Sequence, residues 1–280
     1  MKKILLFSLL IFTSVQVFSQ VTCTKADTAR VEALLIKAKA NDWKGLPMGD
    51  LVIRVGKEFL GTPYVAKTLE VNGLEEKLVV NFSGLDCTTF LENTVVFARI
   101  IKQGKFSFDA YLKELENVRY KGGELNGYLS RLHYFSDWIR EKSELGMVTN
   151  VGVQIGETYQ KSLDFMSKHR SAYTQLADDA TFEAIQAYET TLKNSKISHV
   201  PQTKIEGLEH LIQDGDLIAF TTNLDGLDVT HVAIAIHQKG RLYFMHASSK
   251  SNEVEISPKT VADYVNGRKI STGIMVARLL

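Results

Sequence analysis

The chain has 280 residues, with 33 basic and 32 acidic side chains for a formal charge of +1, and 45% of it is hydrophobic. That length supports one large or two small domains with a real core. The near-neutral charge gives no footprint for nucleic acid or an anionic membrane, and the two cysteines admit at most one internal disulfide.

Residues 1–19 read as an export signal: Lys2 and Lys3, the apolar run ILLFSLLIF, then a small-residue exit before Gln20. The run is too short for a membrane span, so a soluble, exported protein, periplasmic in location, is expected from residue 20 onward. The residues before Cys23 lack the Leu-small-small pattern of a lipid anchor. Val31, Leu34, Leu35 and Ala38 recur at helical spacing, and a second helix over about 50–60 stops at Gly61 and Pro63. A polar, partly extended stretch follows. From Cys87 a helix apolar on most sides is predicted, with Asp86 as its N-cap and Gly104 as its stop. Further helices are predicted over 108–119, 128–144 and 181–194. After Pro201 the texture changes to short β-rich runs, DLIAFTT, HVAIAIH, RLYFMHA, EVEIS and GIMVARLL. Helices first and an antiparallel sheet second define an α+β protein.

A thiol reacts as thiolate, and a helix N-terminus favours negative charge, so Cys87 is a candidate nucleophile. A bridge from Cys87 to Cys23 is the alternative. A nucleophile needs a base. THVAIAIHQKGRLYFMHASS reads as a hairpin turning at Lys239-Gly240, which pairs Gln238 with Arg241 and sets His231 opposite Ser248. His231 and His246 then become diagonal neighbours on one face, about 7–8 Å apart at the backbone, and a one-residue slip would separate them. In that geometry His231 is the base and His246 orients it. A histidine opening a strand also serves simply as a rim residue. His237 falls at the turn end, and His133, His169, His199 and His210 have no comparable partner.

Taken in order, GTPY, DCTTF, DGDLIAF, THVAIAIH and FMHASS resemble the signature blocks of the NlpC-like cell-wall cysteine peptidases and amidases, a papain-like superfamily. The resemblance implies a papain-like core, with Cys87 as nucleophile on a central helix, His231 as base and His246 as orienter. It also implies Tyr64 as a substrate or oxyanion contact, with Asp86, Thr88 and Ser248 beside the substrate. The usual glycine pair after PY is missing, the gap from Tyr64 to Cys87 is long, and a large helical insertion, about 105–200, precedes His231. Such enlarged chains resemble a branch common in Bacteroidetes that is similar to N-acetylmuramoyl-L-alanine amidases. The implied cut is the amide between muramic acid and L-alanine, made on peptidoglycan fragments by a monomer without cofactor or metal, residues 20–280 forming one domain.

Within the insertion, Leu132, Phe135 and Ile139 would face the core of a helix while Arg131, Tyr134 and Trp138 share another strip. Either that strip is an ordinary amphipathic face, or Tyr134, Asp137 and Trp138 wall the pocket and narrow it for small soluble muropeptides. Three alternatives stay open: an endopeptidase cutting after D-glutamate with the same triad, a zinc site of Cys87, His231 and His246, and a non-catalytic wall-binding module.

Overall fold

The computed structural model describes residues 20–280, and the expected export signal at 1–19 lies outside the described residues. A short parallel pair, β1 (Val21–Thr22) and β2 (Leu78–Val79), ties the N-terminal region together. α1 (Lys25–Ala40) opens on a reciprocal cap: the Thr24 hydroxyl accepts from the Asp27 N–H, and the Asp27 carboxylate accepts from the Thr24 N–H. Its four residues at helical spacing are all buried. α2 (Met48–Lys57) ends just before Gly61, whose φ of 78° turns the chain away. α3 (Cys87–Lys102) is buried around most of its circumference, and Gly104, with φ 73°, stops it as expected. α4 (Phe108–Arg119) packs on α3 and keeps the predicted bounds.

The next stretch departs from expectation. The predicted helix over 128–144 forms only from Phe135, as α5 (Phe135–Glu144). Before it, Arg131 is held in extended backbone opposite Tyr120, and its guanidinium is taken by Glu70 and Glu76. Those long-range bonds outweigh helical propensity, so the two predicted strips that include Arg131 and Leu132 do not exist as helix faces. The segment 105–200 is also not purely helical. Alongside α6 (Gly152–Ile155), α7 (Phe165–Lys168) and α8 (Asp179–Thr191), it contributes β3 (Val148–Asn150), β4 (Glu157–Lys161) and β5 (Ser195–Pro201).

These strands join β6 (Leu217–Thr222), β7 (Val229–Gln238), β8 (Arg241–Ser248), β9 (Glu253–Ile256) and β10 (Ser271–Leu279) in one eight-stranded sheet. The order is β4-β5-β10-β6-β7-β8-β9, with β3 also on β10, and each of these pairings is antiparallel. The protein is therefore α+β. One sheet face, with Ala219, Val232, Ile234, Met245 and Met275, packs in the same core as α3. The other, with Phe220, Ala233, Ala235, Phe244 and Ile274, is covered by α10 (Val261–Asn266), while α9 (Ile205–Leu208) closes one end. Burial on both faces explains why the strands read as unbroken apolar runs.

Candidate active site

The site begins at the cap of α3. Asp86 has extended backbone, its carboxylate accepts from the Thr89 N–H at 2.8 Å, and the Thr89 hydroxyl accepts from the Asp86 N–H at 3.0 Å. This box fixes Cys87 as the first helical residue. The thiol is free and partly exposed, and so is that of Cys23; no bridge joins them. Burial, then the Asp86 carboxylate, push the Cys87 thiol up to about 11, opposed by hydrogen bonds from the Val232 N–H and from Thr88. Desolvation thus pushes the thiol in the direction opposite to the lowering expected of a helix start.

The hairpin supplies the histidines. Its register runs from Gln238↔Arg241 to Ile234↔Met245, as the sequence implies. Lys239 and Gly240 both have positive φ, 51° and 76°, the backbone of a two-residue I′ turn. His231 and His246 consequently share a face, with His231 Nε2 2.7 Å from His246 Nδ1. Phe220, Phe244 and Tyr264 pack around the two rings. Burial first, then the charges of His246 and Arg268, push His231 down to about 3. Burial pushes His246 down to about 4 against the pull of the Glu255 carboxylate. Near neutral pH the resting site therefore holds a neutral thiol and two neutral imidazoles, not a preformed ion pair.

Cys87 and His231 line one pocket of about 180 Å³. The Tyr64 loop borders the same helix start: the Val65 N–H donates to the Leu85 carbonyl and the Leu85 N–H to the Pro63 carbonyl, two residues before Cys87 begins α3. Gly84 allows this approach, since a Cβ there would lie 2.3 Å from Val65 Cγ2. Burial, then the neighbouring Cys87 and Asp86 charges, raise the Tyr64 pKa, so its hydroxyl remains a donor.

The expected aromatic wall is only partly realised. Trp138 lines the pocket, stacked on Phe135 with ring centroids 5.2 Å apart and its indole N–H donating to the Val118 carbonyl. Tyr134 does not: it is buried, and its hydroxyl donates to Glu189 at 2.6 Å. Asp137 is buried too, taken by the Arg140 guanidinium and the Tyr188 hydroxyl. Both are occupied in holding α5 against α8. Thr88 lines the pocket, whereas Ser248 is buried and its hydroxyl accepts from the Ser251 N–H in the turn after β8. His237 is turned to Asp214, 2.7 Å away.

Several pocket residues are not legible in the sequence. His133 lines the pocket, and because a carbonyl only accepts, its Nε2 must carry the hydrogen donated to the Tyr128 carbonyl at 2.9 Å. Asp228, buried beside His231, accepts from the N–H and hydroxyl of Ser136 and from the Val229 N–H. It thereby caps α5, which has no side-chain cap of its own, and ties the Trp138 wall to β7. Both residues reach the site through long-range contacts that no local spacing signals. Among the described residues no three His, Cys, Asp or Glu side chains gather as metal ligands, the proposed zinc set included, and no helix is long and apolar enough to cross a membrane.

Cys87 on a helix start and His231, hydrogen-bonded to His246 on an antiparallel sheet, line one pocket with the residue types of a hydrolase site. The chain belongs to the AmiA-like family, N-acetylmuramoyl-L-alanine amidase-like, whose model matches residues 54–274 and so spans the whole site. An N-acetylmuramoyl-L-alanine amidase from Bacteroides uniformis is 34% identical and superposes with a TM-score of 0.79, covering 83% of this chain and 98% of its own. A Bacteroides fragilis protein, provisionally named a xylanase, is 36% identical with a TM-score of 0.77, covering 81% and 99%. A Legionella pneumophila protein at 20% identity, covering 91% and 95% with a TM-score of 0.72, shares the fold. No curated protein matches.

Proposed function

We propose that this protein is a cysteine-dependent amidase of the NlpC-like, papain-like superfamily, cutting the bond between N-acetylmuramic acid and L-alanine in soluble peptidoglycan fragments. The observation that carries the reading is one pocket holding Cys87 and His231, with His231 hydrogen-bonded to His246. His231 takes the thiol proton as Cys87 Sγ attacks the lactyl carbonyl. The Cys87 N–H, one of the unpaired donors at the helix start, and the Tyr64 hydroxyl stabilise the oxyanion. The intermediate collapses as His231 returns the proton to the leaving L-alanine nitrogen, and a water deprotonated by His231 then hydrolyses the thioester. Because thiol and imidazole start neutral, the proton moves during attack.

The small pocket, walled by Trp138, Phe135 and Leu132, favours one sugar-peptide junction over polymeric wall. Residues 20–280 act as a single unit, and the export signal directs it to the periplasm, where such fragments arise. The test is digestion of defined muropeptides with mass analysis. Release of an intact stem peptide beginning with L-alanine supports the reading, with Cys87→Ala inactive yet still binding substrate. Release of a muramoyl dipeptide would move the cut to the endopeptidase position, and turnover by Cys87→Ala near the wild-type rate would remove the nucleophile.

A further inference from the structure

Two neighbouring imidazoles share one proton, and which ring holds it decides whether His231 has a free nitrogen for the thiol. With His231 Nε2 and His246 Nδ1 2.7 Å apart, two arrangements are available. If His231 Nε2–H donates to His246 Nδ1, His231 Nδ1 is bare and can accept a proton. If the proton sits on His246 Nδ1 instead, His231 Nε2 accepts it, and neutral His231 carries its own hydrogen on Nδ1. That second form is no base toward the thiol. The pair alone does not choose between them.

The neighbouring strand does. His246 on β8 lies directly across from Glu255 on β9, with His246 Nε2 3.5 Å from Glu255 Oε1. His246 Nε2 is buried and makes no well-aligned hydrogen bond, so this carboxylate is the acceptor nearest to hand. A carboxylate oxygen at that range attracts an N–H and repels a bare lone pair. It therefore holds the hydrogen of neutral His246 on Nε2, which leaves Nδ1 bare and obliges His231 to donate from Nε2.

We infer that Glu255 is a positioning residue that sets the tautomers of His246 and His231 in series and so keeps His231 Nδ1 free as the base. The inference rests on the cysteine mechanism proposed above. During attack the thiol proton passes to His231 Nδ1 and stops there. His231 keeps its Nε2–H on His246, His246 keeps its Nε2–H toward Glu255, and no proton passes on to the carboxylate.

Glu255→Ala and Glu255→Gln in the full chain test this with two readouts that need no muropeptide. One is the rate at which iodoacetamide alkylates Cys87 near pH 7, with Cys23 as internal comparison and both located by peptide mass. The other is the ¹⁵N NMR tautomer of each imidazole. Expected are Cys87 alkylation slowed by about tenfold to a hundredfold, the range for loss of a partner that orients a functional side chain, Cys23 unchanged, and a proton appearing on His246 Nδ1. Alanine should act more strongly than glutamine, which retains a carbonyl acceptor. On a substrate, kcat should fall by the same factor with KM unmoved, a split that simple loosening of the sheet would not give. Unchanged tautomers in the alanine variant overturn the inference whatever the rates. A wild type that cuts no muropeptide yet shows the alkylation difference would sink the amidase reading alone.

Discussion

Arg119→Met removes the buried cation that compensates Glu92 one turn into α3. Both side chains are almost fully enclosed, at 2% and 6% exposure. The guanidinium lies 2.8 Å from the Glu92 carboxylate and also donates to the Val79 carbonyl at 2.9 Å. Burial already raises the Glu92 pKa, and Arg119 is the largest influence opposing it. Removing one partner of a buried pair costs about 3–5 kcal/mol, because the other charge is left without compensation. At about 2–4 °C per kcal/mol for a domain of this size, the unfolding midpoint should drop by roughly 6–20 °C. The sign with pH also follows. Without Arg119 the folded pKa of Glu92 rises further above its unfolded value, so the folded state binds more protons and stability falls as pH increases through that window. Calorimetry at pH 5.5 and pH 8 should therefore show the greater loss at pH 8, and Arg119→Met with Glu92→Gln should recover part of it. A shift below about 3 °C that is the same at both pH values would refute the argument.

The histidine shifts give a second test. His133, His231 and His246 are held down to about 3, 3 and 4 by burial, so between their ordinary pKa and those values the unfolded chain binds protons that the folded one does not. Stability should fall as pH drops from about 6.5 toward 4, and a midpoint that is constant over that range would contradict the buried neutral rings. For the same reason kcat/KM should be flat from about pH 5 to 9, because burial pushes His231 down to about 3 and the thiol up to about 11; a limb at 6 to 7 would mean an ordinary solvated histidine. Trp138→Ala empties one wall of the pocket and should destabilise by about 3–5 kcal/mol while lowering kcat/KM, whereas a stable variant with full activity would remove Trp138 from the site. Gly84→Ala forces Val65 and the Tyr64 loop outward, so kcat should drop with Cys87 alkylation unchanged; parallel losses in both would point to damage at α3 itself.

The parts of the site that could be read from the sequence are those set by local rules. Asp86, Cys87 and Thr89 form their cap within four residues, and the Lys239-Gly240 turn fixes the register that brings His231 and His246 together. The parts that could not be read depend on distant partners. Tyr134 looks like a pocket residue until Glu189 claims its hydroxyl, and His133 looks idle until the chain from Tyr120 to Arg131 folds it in beside Cys87. Glu255 carries no motif at all, and only strand pairing sets it against His246. β4 escaped notice because it is polar and largely exposed, as a tolerable edge strand tends to be.

β10, the last strand in chain order, lies in the interior of the sheet, between β5 and β6. A chain emerging from its N-terminus presents Cys87 long before β10 can join β6 and give β7 and β8 a finished neighbour. Until those final residues arrive, β6, which carries Phe220 opposite His231, lacks its partner on the other side. The same geometry puts the last strand at the middle of the sheet: losing β10 would open it between β5 and β6 rather than fray its margin.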